Sequence, residues 1–128
     1  MKITKHFSHE EFRCKDGTDY PVSWKYSRLV PLCEALEVIR KELGGRSITI
    51  TSGYRTPDYN KKVGGVKSSE HMYGQAADIQ VKGVSARKVA EVVRQLIKDG
   101  MIPQGGVGDY SSFCHYDIRG YNARWRGR

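Results

Sequence analysis

Two segments with helical periodicity, separated by residues typical of strands, restrict the fold more than any other feature of this chain. From Ser27, apolar side chains recur at helical spacing until Gly44-Gly45 ends the segment, at Leu29, Leu32, Cys33, Leu36, Ile39 and Leu43. In the second segment Ser85 is a candidate helix cap, and an apolar stripe follows within residues 86–97. We therefore expect two amphipathic helices that each bury one face.

The remaining periodic segments predict short strands. Residues 48–51 are β-branched throughout, and residues 77–81 have strand-like composition. Residues 105–110 and 113–119 predict two closing strands, paired as a hairpin through Ser111-Ser112. Helices beside short strands with hairpin returns predict the α+β class, as a small antiparallel sheet flanked by helices.

Two short helices and a basic tail complete the expected organisation. Ser8-His9-Glu10-Glu11 has the form of a capping box and predicts a short N-terminal helix. Pro57 can open another short helix through Lys62, which Gly64-Gly65 ends. We expect one domain over residues 1–128, with residues 119–128 as a basic C-terminal tail.

Composition narrows the class of protein. The chain has 128 residues, 38% hydrophobic and 28% charged, which is typical of a globular domain. Its apolar runs are short and its start lacks a signal-peptide pattern, so we expect no membrane insertion and synthesis in the cytoplasm. Three cysteines without a C-x-x-C pair predict a reducing compartment and no structural disulfide, and core packing is the expected role of Cys114.

The net charge of +8 predicts attraction to a polyanion, which could be nucleic acid, anionic lipid or anionic bacterial cell wall. Much of this charge lies in the tail, where arginines alternate with Tyr121 and Trp125. Arginine beside aromatic rings can contact phosphates and bases. The chain has no recognisable nucleic-acid module, however, and basic tails are commonly solvated surface, so nucleic acid is the disfavoured partner.

Two histidines and an aspartate form a candidate ligand set. His71 and Asp78 are seven residues apart, and His115 follows near the C-terminus. Two imidazoles and one carboxylate leave a fourth position on zinc open to water. Each residue alone is more often an ordinary surface or hydrogen-bonded residue, and a spacing of seven does not bring two side chains together. The residues alone leave both interpretations open.

The motifs around these residues resemble a known family. Ser69, His71, Gly74, Ala76 and Asp78 match the pattern S-x-H-x-x-G-x-A-x-D, which resembles the zinc-binding signature of the M15 family of peptidoglycan peptidases. Further similar segments cover most of the chain; they are Lys5 to Phe12, Ser52-Gly53-Tyr54-Arg55-Thr56-Pro57, Tyr59-Asn60, Val63-Gly64-Gly65, Gly106-Val107-Gly108 and Phe113-Cys114-His115-Tyr116-Asp117-Ile118-Arg119.

The resemblance implies a role for each matching residue. It implies that His71, Asp78 and His115 hold Zn²⁺, and that Arg55 polarises the scissile carbonyl or stabilises the oxyanion. Arginine suits this task because it stays protonated and presents several donors in a fixed fork. Tyr54 and Ser69 are the expected substrate-binding residues, with support of the turn as an equal alternative for Tyr54.

The general base is the weakest part of the match. Many M15 enzymes place a Glu, Asp or His two or three residues before the last zinc ligand, where this chain has Ser112 and Phe113. Asp117 lies two residues after His115 and in a strand shares its face, so it is a candidate base or an acceptor that fixes the imidazole ring. Asp109 and Glu70 are further candidates. Tyr116 should face away and pack.

The resemblance implies a zinc peptidase that acts on peptidoglycan stem peptides. A D-Ala-D-Ala carboxypeptidase is the first expectation, and an L-Ala-D-Glu endopeptidase of the phage endolysin type is the second. A catalytically inactive, zinc-stabilised cell-wall-binding module is the third, since animal hedgehog domains have a similar fold and zinc site. We expect a monomer, encoded by phage or host, that reaches the anionic wall by lysis, holin release or packaging in a virion.

Overall fold

A computed structural model describes all 128 residues and contains seven strands, three α-helices and several short helical turns. In chain order the elements are β1 (Lys2–Thr4), β2 (Phe7–Ser8), a 3-10 helix (His9–Phe12), a second 3-10 helix (Val22–Trp24), a π-helical turn (Lys25–Leu29), α1 (Val30–Glu42), β3 (Ile48–Ser52), α2 (Pro57–Lys62), a third 3-10 helix (Glu70–Tyr73), β4 (Ala76–Val81), α3 (Ala86–Lys98), β5 (Gly106–Asp109), β6 (Cys114–Asp117) and β7 (Ala123–Arg126). No helix has the length and hydrophobicity that a membrane crossing requires.

The main sheet has five strands in the order β3-β4-β6-β5-β7. The first three pairs of neighbours in this order are antiparallel, and β7 lies parallel to β5 at the edge. Strands β1 and β2 form a separate antiparallel pair. The predicted α+β class is confirmed, although the main sheet is mixed rather than purely antiparallel.

The two faces of the main sheet have different neighbours. Side chains that alternate along the strands, among them Ile79, Cys114 and Val107, are buried in the hydrophobic core beneath α1 and α3. Cys114 and Tyr116 both belong to this core, as expected. The opposite face presents Asp78 and His115, and therefore positions the candidate ligands away from the helices.

Local sequence signals explain the helix boundaries. Glu11 accepts a hydrogen bond from the backbone N–H of Ser8 at 2.8 Å, which closes the predicted capping box of the first 3-10 helix. Thr56 caps α2, and Ser85 caps α3 by accepting from the backbone N–H of Lys88 at 3.2 Å. The helix predicted from Ser27 begins instead with the π-helical turn, and regular α-helix starts at Val30.

Part of the predicted basic tail, residues 123–126, belongs to the main sheet. These residues form β7, which pairs with β5 from Gly106↔Ala123 to Asp109↔Arg126. Sequence reasoning missed this strand because its partner is not adjacent in the chain and its arginine content is atypical of strands. Alternation along β7 directs Trp125 toward one face of the sheet and Arg124 and Arg126 toward the other.

Candidate metal centre and its cleft

A row of cross-strand neighbours forms the floor of the candidate site. The register pairs Ser52 with Asp78, Asp78 with His115, His115 with Gly108, and Gly108 with Trp125. Residues that are paired across neighbouring strands share a face of the sheet. The sheet therefore fixes Asp78 and His115 side by side, although 37 positions separate them in the chain.

His71 reaches this row from the 3-10 helix Glu70–Tyr73. Ser69 caps this helix by accepting a hydrogen bond from the His71 backbone N–H at 3.2 Å. The His71 ring donates from Nδ1 to the carbonyl oxygen of Gly53 at 2.7 Å. This bond ties His71 to the turn after β3 and leaves Nε2 directed at Asp78.

Three ligand atoms converge on one point between these elements. Oδ1 of Asp78 lies 3.1 Å from Nε2 of His71 and 3.0 Å from Nδ1 of His115, and the three residues are all buried. Nε2 of His115 lies 2.7 Å from Oδ2 of Asp117, so it is the donor nitrogen of that ring. Because Nδ1 of His71 and Nε2 of His115 each face a protein acceptor, the other nitrogen of each ring can bind a cation together with Asp78 Oδ1 once both rings are neutral.

The donor set fits zinc. Two imidazole nitrogens and a carboxylate oxygen are ligands of tetrahedral catalytic sites, and Zn–ligand bonds of about 2.0–2.2 Å place ligand atoms roughly 3.3–3.5 Å apart. The observed separations are close to this spacing, and the potential ligand atoms of the group lie within 4.8 Å of one another. Both imidazoles also donate their other N–H to a protein acceptor, as metal-binding histidines commonly do.

The buried carboxylate stays ionised in this environment. Burial alone would raise the pKa of Asp78, but hydrogen bonds from His115 and His71 hold it well below its usual range. Burial lowers the pKa of His71, so its neutral form is favoured. Burial acts the same way on His115, but the carboxylates of Asp117 and Asp78 outweigh it and raise its pKa.

Arg55 lies at the edge of the ligand group, with its side chain 15% exposed. Its Nη2 is 3.4 Å from Oδ2 of Asp78, the oxygen that the histidines do not contact. Nε donates to Ser52 Oγ at 3.1 Å and Nη1 donates to Asn60 Oδ1 at 3.2 Å. The backbone N–H of Arg55 donates to the His71 carbonyl. The guanidinium is thus held in place beside the three ligands.

Asp117 is fully enclosed by donors. Besides His115, its carboxylate accepts from the Gly106 backbone N–H at 2.9 Å and from Arg119 Nε and Nη2 at 2.9 and 2.7 Å. Its exposed fraction is 0%. Burial would raise the pKa of Asp117, but the bonds from His115 and Arg119 hold it well below its usual range. This environment fits an acceptor that fixes the imidazole ring, and it offers a substrate no direct contact.

The glycines of β5 provide space on the same face. A Cβ atom on Gly106 would lie 2.4 Å from Oδ2 of Asp117, and one on Gly108 would lie 2.6 Å from the Trp125 indole nitrogen. Neither glycine has positive φ, so the requirement is space rather than backbone conformation. Val107, between them, points into the core. The G-V-G segment therefore lets the neighbouring side chains lie over β5.

The ligand group opens into a cleft of about 620 Å³ with two unlike walls. One wall is the segment from Val63 to Tyr73, and the other is an aromatic wall of Tyr110, Phe113, Tyr121 and Trp125. The first wall includes Ser69 and Glu70, and Arg55 and Arg119 also line the cleft. An open cleft with polar and aromatic lining over a candidate metal-binding group can admit an extended substrate.

Two of the predicted site residues lie away from the cleft. Tyr54 is absent from its lining and packs edge to face against Tyr20 and Trp24, at ring distances of 5.9 and 6.0 Å. The structure gives no basis for its predicted substrate contact and agrees with the alternative, support of the turn. The side chain of Asp109 faces Arg94 and Arg126 on the helix side of the sheet, which removes it as a candidate base.

Sequence reasoning assigned no role to three residues that shape the site. Asn60 is buried and joins Arg55 to the Val66 carbonyl, to which it donates at 2.9 Å. Arg119 pairs with Asp117, and Trp125 packs beside His115. The positions of Asn60 and Arg119 within the family-like segments were the available signal, whereas nothing local in the sequence linked Trp125 to the site.

Comparison with known proteins places the chain in a family. A family model described as Peptidase M15 matches residues 5–117. A zinc D-Ala-D-Ala carboxypeptidase of Streptomyces albus G is 43% identical over 44 residues, a stretch that covers 34% of this chain and only 17% of that protein. Because the family model spans most of the chain, the protein belongs to the peptidase M15 family, as its motifs predict.

Proposed function

We propose that this protein is a zinc peptidase that hydrolyses an amide bond in peptidoglycan stem peptides. The convergence of His71 Nε2, Asp78 Oδ1 and His115 Nδ1 at the floor of an open cleft is the observation that carries the proposal. When bound there, Zn²⁺ would polarise the scissile carbonyl and lower the pKa of its water toward neutrality. The protein then has to bind the peptide, stabilise charge and move a proton.

We assign charge stabilisation to Arg55. Its guanidinium lies beside the ligand group and is oriented by Ser52 and Asn60, so it is organised before substrate binds. Donors that are already aimed at a developing oxyanion stabilise the transition state without reorganisation. Arg55→Lys should keep the charge but lose the fork, and we expect kcat to fall more than 10-fold because removal of one such donor typically costs about 10²-fold or more.

We assign proton transfer to Glu70 and ring orientation to Asp117. Glu70 is the carboxylate that lines the cleft besides the ligand Asp78, and its Oε1 accepts from Gln75 Nε2 at 2.6 Å. From the cleft it can take a proton from the attacking water and pass it to the leaving amine. Asp117 instead holds the Nε2 proton of His115 and so directs Nδ1 toward the metal position.

We propose the terminal D-Ala-D-Ala bond as the one that is cleaved. Support comes from the Streptomyces albus G protein, which is named a zinc D-Ala-D-Ala carboxypeptidase. The L-Ala-D-Glu bond is the runner-up, because the cleft is open and can accommodate a longer peptide.

The proposal is tested with purified muropeptides. Zn²⁺-loaded protein and its His71→Ala variant are incubated with several stem types, and products are identified by mass spectrometry. Loss of one alanine is the expected result, and cleavage after the first L-Ala would assign the endopeptidase instead. Product from His71→Ala at the wild-type rate would contradict the proposed metal site.

A non-catalytic wall-binding module is the second candidate. The observation that favours it is the absence of an acid or histidine at positions 112 and 113, where many family members place one. It predicts Zn²⁺ binding and co-sedimentation with cell walls, but no product from any stem type. That result would replace the peptidase proposal.

We further propose that an arginine cluster contributes to attraction toward the anionic wall. Arg94 and Arg126 lie 3.9 and 3.7 Å from Asp109, and Arg124 lies on the same face of β7. Two guanidiniums beside one carboxylate, with a third arginine on the same face, leave excess positive charge, consistent with the net charge of +8. Sedimentation with purified walls should therefore weaken as salt rises. Binding that is unchanged from low to high salt would contradict this electrostatic contribution.

A further inference from the structure

The C-terminal strand β7 reaches the metal centre through one side chain. The register places Trp125 opposite Gly108, and Gly108 opposite His115. Because Gly108 has no side chain, the indole extends over β5 and approaches the His115 ring, with 5.0 Å between the ring centroids and a tilt of 50°. A Cβ on Gly108 would lie 2.6 Å from the Trp125 Nε1 atom, so this contact depends on the glycine.

The indole is itself held in one orientation. Trp125 Nε1 donates to the Tyr110 hydroxyl at 2.9 Å, and the Tyr110 ring stacks on Phe113 with 4.3 Å between centroids. Tyr110 also packs against the backbone of Gly127, where a Cβ would lie 2.2 Å from the ring. A tryptophan anchored by such contacts can restrain the side chain that it covers.

His115 is therefore restrained by two residues, Asp117 and Trp125, which both contact Arg119. Asp117 accepts its Nε2 proton at 2.7 Å, and Trp125 covers one side of its ring. Arg119 connects the two, since it pairs with Asp117 and its guanidinium carbon lies 5.3 Å from the Trp125 ring centroid. Trp125 also lines the cleft, so it separates this side of the imidazole from bulk water.

We infer that Trp125 is a positioning residue for the metal-binding face of His115, and that Gly108 is the position that permits this contact. The inference rests on the proposed metal site. It makes strand β7 part of the metal centre rather than a peripheral edge of the sheet. Residues that orient metal ligands typically change metal affinity about 10- to 100-fold when replaced. For a packing contact without a hydrogen bond to the ligand, we expect the lower end of this range.

The test measures metal binding rather than catalysis. Zn²⁺ affinity is determined by competition with a chromophoric chelator for wild type, Trp125→Ala, Trp125→Phe and Gly108→Ala, and the visible absorption spectrum of bound Co²⁺ reports coordination geometry. Trp24→Phe is the matched control, because Trp24 packs against Tyr20 and Tyr54 outside the cleft lining. Thermal unfolding of each metal-free variant measures the purely structural effect.

We expect Trp125→Ala to lower Zn²⁺ affinity about 10-fold and to alter the Co²⁺ spectrum. Trp125→Phe should have a smaller effect, and Trp24→Phe none. Gly108→Ala removes no atom from the cleft but displaces the indole, so it should lower Zn²⁺ affinity as Trp125→Ala does. It keeps the test valid if Trp125→Ala does not fold. Wild-type affinity and spectrum in both folded variants would overturn the inference, even if their thermal stability fell.

This readout separates the inference from the proposed function. A wild-type protein that binds Zn²⁺ but cleaves no muropeptide would contradict the peptidase and leave the role of Trp125 intact. Failure of the wild-type protein to bind Zn²⁺ would overturn both.

Discussion

The two histidines of the candidate metal centre are supported by different parts of the molecule in different ways. His71 lies in a short 3-10 helix, and its Nδ1–H donates a hydrogen bond to a neutral acceptor, the carbonyl oxygen of Gly53. His115 lies in a strand and donates to the Asp117 carboxylate, which Arg119 pairs with in turn. One side is thus built from backbone and the other from a network of charged side chains.

This difference has an electrostatic consequence. Burial lowers the pKa of His71, whereas on His115 the hydrogen bonds to carboxylates outweigh burial and raise the pKa. A carboxylate behind an imidazole increases its basicity and fixes its ring. Because the Asp117 carboxylate accepts the Nε2 proton of His115, we infer that His115 is the more strongly donating and more strictly oriented of the two candidate ligands, and that its support is open to mutation. The carbonyl that supports His71 can be removed only by altering the backbone.

The largest expected effect comes from removing either histidine. His71→Ala and His115→Ala should each lower peptidase activity at least about 100-fold, because each would remove a ligand of the proposed zinc site and a catalytic metal typically contributes several kcal/mol. Equal losses of activity would mean that the two histidines are equally necessary for peptidase activity, although their hydrogen-bond acceptors differ. His6→Ala is the control, since His6 pairs with Glu37 outside the cleft.

Removal of Zn²⁺ should lower the free energy of unfolding by a few kcal/mol. The three candidate ligands come from β4, from the 3-10 helix just before it and from β6, so a bound ion would link β6 to two elements that are distant from it in the chain. At free Zn²⁺ 100 to 1,000 times its Kd, linkage predicts about 2.7–4.1 kcal/mol of added stability. Urea unfolding with Zn²⁺ and with chelator measures this difference. It should vanish in His115→Ala, and a persistent difference there would indicate metal binding elsewhere.

The charged support of His115 can be tested by itself with Asp117→Asn. An amide can still accept from Nε2 but lacks the charge, so we expect Zn²⁺ affinity to fall about 10- to 100-fold. With saturating metal, kcat should recover much of its wild-type value. Glu70→Gln should give the opposite pattern, with unchanged affinity and a kcat about 10²-fold lower or more. If Asp117→Asn bound Zn²⁺ normally and lost kcat, Asp117 would be the base and our assignment wrong.

Local sequence patterns were sufficient for much of the fold. The helical stripes, the caps Ser8 and Ser85, and the strand composition of residues 48–51 are short-range signals, and the corresponding elements were predicted within a few residues. Strand β7 was missed because its parallel pairing with β5 joins residues that no local pattern connects. The 3-10 helix that carries His71 was missed because it is a single short turn.

The candidate site also contains parts that the sequence could predict and parts that depend on tertiary structure. The spacing of His71 and Asp78 could not show that they meet; the motif that resembles the M15 signature supplied that expectation, and the register of β4 and β6 explains how His115 joins them. The position of Asp117 relative to His115 followed from strand alternation alone. The sequence left its two roles open because burial and the pairing with Arg119 depend on tertiary structure.

The smallest expected effect concerns Arg119, at the outer end of the charged support. Arg119→Gln removes both of its side-chain hydrogen bonds to Asp117, but the Gly106 N–H and the His115 ring still bind that carboxylate. We therefore expect Zn²⁺ affinity to fall only a few-fold, less than with Asp117→Asn, because Arg119 acts on His115 only through Asp117. Competition with a chromophoric chelator measures both variants, and Arg28→Gln, on a guanidinium that contacts Trp24 and the Tyr73 carbonyl, is the control. An Arg119→Gln effect as large as that of Asp117→Asn would mean that the ion pair, rather than the carboxylate alone, sets the properties of His115.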